Sequence, residues 1–154
     1  MDSLREKELR LEQLLPLITE QLAEGKTVRF FPRGRSMRPL LRQGRDQVVL
    51  APVTGELKKY DIPFYRRDDG HFVLHRIVEV GETYICIGDN QHELEHGIRR
   101  DQILAVAVAV VREGREIPVT NLGYRVYSRL IHWLRPVKGF LGRCKRAVLR
   151  RLKK

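Results

Sequence analysis

Cysteine is scarce in this sequence, and the two cysteines do not form a motif. Cys86 and Cys144 are far apart in a chain of 154 residues, and neither belongs to a CxxC pair. This spacing gives no sign of a zinc site or a redox motif, and two free thiols are typical of a reducing compartment. We therefore expect no metal centre and no cofactor.

Long hydrophobic runs are also missing. Residues 1–13 are charged throughout and lack the apolar core of a secretory signal. The apolar stretch ILAVAVAVV (103–111) is far shorter than the roughly 18–20 residues that cross a membrane, and it is typical of a buried strand. The sequence therefore predicts a cytoplasmic protein.

Acidic residues are absent after Glu116, and the C-terminal segment is strongly basic. Eleven of the 30 Lys and Arg residues lie within 125–154, whereas the rest of the chain carries 19 basic and 19 acidic residues. The net charge of +11 therefore belongs to this segment alone. Apolar residues recur there at helical spacing, as Tyr127, Leu130, Ile131 and Leu134, and then as Leu141, Cys144, Val148 and Leu152.

A cationic amphipathic segment of this kind is typical of a helix that lies on a membrane surface. We expect residues 124–154 to bind anionic lipid, which would place the protein on the inner face of the membrane. In one alternative, the first apolar stripe packs on the domain and only the last residues form a solvated tail. In another, the tail binds nucleic-acid phosphates non-specifically. Aromatic residues for base stacking are lacking, so a specific nucleic-acid partner is not expected.

Short runs rich in β-branched and aromatic residues fill the centre of the chain. They are residues 27–31, 46–52, 61–67, 71–80, 83–88 and 103–111. Turn residues separate these runs, and RRDDGHF (66–72) is typical of a hairpin turn. The pattern predicts a mainly β fold, with a curled antiparallel sheet or a partly open barrel.

Helical patterns flank this β region on both sides. Ser3 and Glu6 match a capping box, leucines follow at helical spacing, and Gly25 is suited to end the helix. Pro16 predicts a kink or break within it. We therefore expect an N-terminal helical segment (1–25), a β domain (26–118) and basic amphipathic helices (119–154).

The stretch GRSMRPLL (34–41) places a small polar residue, Ser36, in unusual surroundings. A serine beside glycine is often only a turn residue. Here Pro39 restricts the chain, and apolar residues on the C-terminal side are suited to anchor it. The pattern indicates a hydroxyl that is held still. As a nucleophile it would need a base within hydrogen-bond reach.

Among the five histidines, His75 is the best candidate for that base. It lies inside the apolar run VLHRIV (73–78), where alternation places it on the face opposite Phe72 and Leu74. The alternative is a partly buried histidine with a structural hydrogen bond. His92 and His96 lie in QHELEHGIRR (91–100), which is interpreted as a solvated loop without a third metal ligand.

An acidic residue at the end of the next run completes the candidate group. Asp89 follows the run 83–88 and is suited to orient an imidazole, as in Ser-His-Asp sites. The alternative is an ordinary Asp-Asn turn.

The motifs GRSMRPLL, HRIVEV and GDN, in this order, resemble the signal peptidase and LexA-like serine peptidase superfamily. The resemblance covers about residues 26–112, and KKYDIPFYR (58–66) is similar to another strand of that family. The general base of the superfamily is Lys in some branches and His in others, and His75 occupies that position here. The resemblance therefore points to the His-type branch, here without its N-terminal membrane anchor.

This resemblance implies a role for each candidate residue. Ser36 would be the nucleophile, its backbone N–H would help bind the oxyanion, and His75 would be the general base. Asp89 would orient His75, and Glu95 falls near the place of a second acid in the His-type relatives. The implied activity is a serine endopeptidase that cuts an extended precursor or leader peptide beside small residues. A non-catalytic, peptide-binding relative of the same fold is the main alternative.

Overall fold

The described part of the chain contains two antiparallel β-sheets, two α-helices and a short 3-10 helix (Arg100–Gln102). The structure is a computed structural model and describes residues 14–134. Helix α1 covers residues 14–23 and helix α2 covers Leu122–Trp133. The prediction of a mainly β fold with antiparallel sheets is confirmed. The predictions for the capping box in 1–13 and for the tail in 135–154 lie outside the described residues.

Within the described residues, nine strands follow α1. They are β1 (Val28–Phe30), β2 (Gln47–Ala51), β3 (Pro63–Arg66), β4 (Phe72–Leu74), β5 (Arg76–Val80), β6 (Tyr84–Ile87), β7 (Glu95–Ile98), β8 (Ile103–Arg112) and β9 (Arg115–Pro118). Sheet A has the order β1-β2-β8-β3-β4, and β9 also pairs with β8. Sheet B has the order β5-β6-β7. Strand β4 is therefore an edge strand of sheet A.

The hairpin predicted at RRDDGHF is confirmed. Strands β3 and β4 pair with Arg66 opposite Phe72. The turn is closed by the N–H of Arg67, which donates to the carbonyl of His71 at 2.9 Å. Gly70 has a φ of +91°, a conformation that residues with a side chain rarely adopt, so the glycine is required there.

The run 71–80 differs from its prediction as one continuous strand. The structure divides it at His75 into β4, which belongs to sheet A, and β5, which belongs to sheet B. The alternation expected along one strand therefore does not carry across this residue. His75 lies at the point where the chain passes from one sheet to the other.

Two strands lie where the sequence does not indicate them. Strand β7 falls in the predicted charged loop 91–100 and pairs with β6. Strand β9 pairs with the end of β8. Both strands are short, and each has an exposed face that carries polar residues. Neither therefore contains the run of β-branched residues that would have indicated a strand.

The main hydrophobic core lies between sheet A and the segments that precede it. Ile18 and Leu22 of α1 are buried in the same hydrophobic cluster as Leu50 and Phe64 of the sheet. The helix ends at Gly25 as predicted, with a φ of +77° and the two backbone hydrogen bonds of a Schellman motif. Pro16, where the sequence predicts a kink or break, lies within the described helical residues 14–23.

The loop that carries Ser36 is anchored by residues on the C-terminal side of the serine. Its three apolar anchors are buried in the main core, namely Met37, Leu40 and Leu41. Farther along, Asp46 is fully buried and accepts hydrogen bonds from Arg45 and from Arg112 of β8. Burial opposes the charge of Asp46, but these hydrogen bonds lower the pKa of its carboxyl below the usual range. The loop is therefore tied to the centre of sheet A.

Helix α2 packs on the domain with one of its faces. The side chain of Asn121 caps its first turn by accepting the N–H of Gly123 at 2.8 Å. Ser128 and Ile131 are buried, whereas Leu130, predicted on the same stripe as Ile131, is exposed. Within residues 14–134, the structure has no helix that is long and apolar enough to cross a membrane.

Candidate active site

Ser36 and His75 line the same cleft, whose volume is about 220 Å³. One wall is the loop that contains Ser36, and the other is the edge strand β4 with the residue that follows it. The lining residues include Pro32, Gly34, Ser36, Met37, Arg67, Phe72, Leu74, His75 and Gln91. The structure thus places in one cleft the two residues that the sequence predicted as nucleophile and base.

The backbone of Ser36 is held by the segment 88–90. The N–H of Asn90 donates to the carbonyl of Ser36 at 2.7 Å. Gly88 lies so close that a Cβ added there would be 2.7 Å from the same carbonyl oxygen and 2.9 Å from the Cβ of Ser36. Glycine is therefore required at position 88 because the Ser36 backbone occupies the space of a side chain.

The imidazole of His75 is buried and oriented by a carboxylate. Its exposed fraction is 2%, and its Nδ1 lies 2.9 Å from Oε1 of Glu95. The ring also meets the ring of Tyr65 edge-on, with the hydroxyl 3.4 Å from Nδ1. A proton on Nδ1 that is donated to Glu95 leaves Nε2 as the nitrogen that can accept another proton.

Glu95 is the centre of a hydrogen-bonded group behind His75. The hydroxyl of Tyr65 donates to Oε2 at 2.7 Å, and Arg67 forms an ion pair with the same carboxylate. Burial raises the pKa of the Glu95 carboxyl, but the hydrogen bonds it accepts, led by the one from His75, lower it well below its usual range. Glu95 is therefore a charged acceptor at neutral pH.

Tyr65 is kept protonated by the same surroundings. Burial and the hydrogen bond to Glu95 raise the pKa of its hydroxyl. The hydroxyl therefore remains a donor, and it fixes the carboxylate that orients His75. Neither Tyr65 nor Arg67 stands out in the sequence as a site residue, because both lie in an ordinary strand run.

The structure corrects the predicted partner of His75. Both carboxylate oxygens of Asp89 accept hydrogen bonds from Arg76, at 2.8 Å each, and one also accepts the hydroxyl of Tyr127 at 3.0 Å. Asp89 thus pairs with Arg76, and the carboxylate that meets Nδ1 of His75 is Glu95 instead of Asp89. The reason is that β7, which carries Glu95, is paired into sheet B and brings its first residue behind the imidazole.

Arg76 is a buried residue of this region that was not predicted from the sequence, although an arginine inside an apolar run is a signal of a buried polar contact. Its side chain has no solvent exposure. Besides Asp89, the guanidinium donates to the carbonyl of Tyr60 and to the hydroxyls of Tyr124 and Ser128. This network joins α2 to the segment that holds Ser36.

The described residues offer little to a metal ion. His92 lies in the turn before β7, and His96 lies within that strand, so they do not share a helix face. Within residues 14–134, no group of three or more His, Cys, Asp or Glu side chains is placed to hold a metal.

Comparisons of the chain with protein-family models, with curated proteins and with solved structures give no match.

Proposed function

We propose that the protein is a serine endopeptidase of the signal peptidase-like type, with Ser36 as nucleophile, His75 as general base and Glu95 as the orienting acid. The observation that carries the proposal is the pairing of His75 Nδ1 with Glu95 at 2.9 Å, in a cleft that Ser36 also lines. The contact with Glu95 occupies Nδ1 and leaves Nε2 as the nitrogen available to a group in the cleft, which supports a role for His75 as a base.

The reaction would follow the usual course of acyl transfer. Nε2 of His75 takes the proton of the Ser36 hydroxyl while Oγ attacks the scissile carbonyl. The protonated imidazole is stabilised by the charge of Glu95, and it then gives the proton to the leaving amine. Water, activated by the same histidine, hydrolyses the acyl-enzyme. The backbone N–H of Ser36 is proposed to bind the oxyanion.

The edge of sheet A supports an extended peptide as substrate. Strand β4 is the outer strand of the sheet and forms a wall of the cleft, with Phe72 and Leu74 among the lining residues. A peptide that adds as a further strand would gain backbone hydrogen bonds from this edge. The order of the motifs around Ser36, His75 and Gly88–Asn90 further supports the superfamily's curled, partly open barrel as the finer fold type.

The same edge favours one other function, which is peptide binding without cleavage. A strand edge beside a cleft suits a binding module as well as an enzyme. The two functions differ in what they require of Ser36, because binding needs no reactive hydroxyl.

A fluorophosphonate probe tests the proposed chemistry directly, because it labels only an activated serine. We expect labelling of the full-length protein at Ser36, located by mass spectrometry of the digested protein. Ser36→Ala and His75→Ala should each abolish the labelling. His71→Ala is the matched control, since this exposed histidine lies next to the same strand and outside the cleft.

Cleavage of a peptide library provides the second readout. The variant that combines Ser36→Ala with His75→Ala should cleave peptides about as poorly as either single variant, because the effects of residues that act as a unit are not additive. Labelling that survives in Ser36→Ala would exclude the proposed nucleophile. A protein that binds library peptides but neither cleaves them nor reacts with the probe would be the binding module.

A further inference from the structure

Helix α2 has an apolar face that nothing in the described residues covers. Its inner face carries the side chains that pack on the domain, including Tyr124, Ser128 and Ile131. The opposite face carries four large hydrophobic residues, with exposed fractions of 72%, 53%, 49% and 74%. These residues are Leu122, Val126, Leu130 and Trp133, and we call them the outer stripe.

The outer stripe is a continuous surface rather than scattered exposure. Its members are spaced by four, four and three residues, which places them along one side of the helix over its whole length. Single exposed apolar residues are ordinary on protein surfaces, but a helix-long stripe that includes a tryptophan marks an interaction surface.

The charge around the stripe indicates the chemistry of the partner. Arg125 and Arg129 are exposed on the same helix, and residues 122–134 include no acidic residue. The chain that continues from α2, residues 135–154, has nine further Lys and Arg and no Asp or Glu. The partner therefore has to combine an apolar layer with a high density of negative charge.

A membrane that contains anionic lipid combines both properties. Apolar side chains enter the boundary between headgroups and acyl chains, tryptophan favours that depth, and arginine binds lipid phosphate. We propose that the outer stripe of α2 docks on an anionic membrane surface, with Arg125 and Arg129 at the headgroups. This surface differs from the stripe expected from the sequence, in which Tyr127 and Ile131 faced the lipid.

The proposal is independent of the peptidase activity and can be tested without it. Trp133 is the only tryptophan in the chain and belongs to the outer stripe, so its fluorescence reports directly on the surface in question. With vesicles of equal parts phosphatidylcholine and phosphatidylglycerol, we expect a blue shift of its emission and quenching by brominated lipid. Vesicles of phosphatidylcholine alone should leave the emission close to that in buffer.

A double variant, Val126→Gln with Leu130→Gln, removes the middle of the stripe and keeps the reporter. We expect its affinity for the anionic vesicles, measured by sedimentation, to fall about tenfold or more because apolar insertion is lost. Val80→Gln is the matched control, since Val80 is 48% exposed on strand β5, and it should bind like the wild type. Urea unfolding checks that both variants are folded.

Each other occupant of the stripe predicts a different result that would overturn the proposal. Equal binding of the double variant and the wild type to anionic vesicles would mean that the basic residues 135–154 bind the membrane without the outer stripe. Blue-shifted emission in buffer that moves to the red in the double variant would mean that the chain covers its own stripe. A dimer in sedimentation velocity without lipid, lost in the double variant, would mean that a second copy occupies it. Unchanged emission with anionic vesicles and tight binding to duplex RNA would indicate a nucleic-acid surface.

Discussion

The guanidinium of Arg76 meets the carboxylate of Asp89 through two hydrogen bonds of 2.8 Å, and neither side chain has solvent exposure. Such a planar, two-bonded contact is the strongest geometry for this pair of groups. The remaining guanidinium donors reach α2 and the carbonyl of Tyr60. Because Asp89 lies between Gly88 and Asn90, the pair fixes the segment that holds the backbone of Ser36.

Asp89→Asn should therefore destabilise the fold rather than act on His75. It leaves the buried charge of Arg76 without its counter-charge, and breaking such a pair by removing one partner costs about 3–5 kcal/mol. Urea unfolding measures the change in the free energy of unfolding. Asp68→Asn is the control, since Asp68 pairs with Arg99 at a site where its side chain is 77% exposed, and its effect should be close to zero. A stable Asp89→Asn protein would show that the pair contributes little.

Gly88→Ala should displace Ser36. The new methyl group would lie 2.7 Å from the Ser36 carbonyl oxygen, and two backbone segments have to separate to admit it. We expect a stability loss of about 1–3 kcal/mol, as for overpacking, and a loss of fluorophosphonate labelling of roughly 100-fold. Gly55→Ala makes the same change where nothing lies within 4 Å of the added methyl group, and it should keep the wild-type labelling rate.

Glu95→Gln should lower the reaction rate while the substrate still binds. The amide cannot stabilise a protonated imidazole, and in Ser-His-Asp enzymes the equivalent change lowers kcat about 10⁴-fold. The measurement is kcat and KM for a peptide that the wild type cuts. Glu93→Gln, at an exposed position two residues away, is the control. A rate unaffected by Glu95→Gln would remove this carboxylate from the proposed site.

The stability of the protein should depend on Glu95 in a pH-dependent way. Its pKa is lower in the folded protein than the value of about 4.3 for an unfolded glutamate, so its charge stabilises the fold fully above that value. The contribution is lost as the pH falls toward the folded pKa. The destabilisation by Glu95→Gln, measured by urea unfolding, should be full near pH 6–7 and shrink below about pH 4. A difference that grows on acidification would contradict the assigned sign.

Cys86 should resist thiol reagents in the native protein. Burial, together with the negative charge of Glu95, raises the pKa of its thiol to about 12, so the reactive thiolate is rare at pH 8. In a Cys144→Ser background, a colorimetric disulfide reagent should find no rapidly reacting thiol in buffer. One thiol should appear in concentrated urea. Rapid labelling in buffer would mean that sheet B opens around Cys86.

The sequence determined most of the strands, the flanking helical segments and the anchoring of the candidate nucleophile, although it did not indicate β7, β9 or the break at His75. Runs of β-branched residues become strands because such side chains suit a half-buried sheet, and Gly70 and Gly25 act through local backbone conformation. The burial of Met37, Leu40 and Leu41 also follows from residue type. The strands and turns depend on near neighbours in the chain, and the burial depends on the apolar character of the residues, so local patterns were sufficient to predict them.

The tertiary structure decided which acid meets His75. Asp89 and Glu95 both follow strand β6, which ends at Ile87, and the resemblance of the GDN motif favoured Asp89. The choice depends on the pairing of β7 with β6 and on the break of the chain at His75, which together place Glu95 behind the imidazole. The side chain of Arg76 is fully buried, so its charge needs a carboxylate partner, and that partner is Asp89. Such partnerships arise from long-range register and from the cost of burying charge, which residue spacing does not encode.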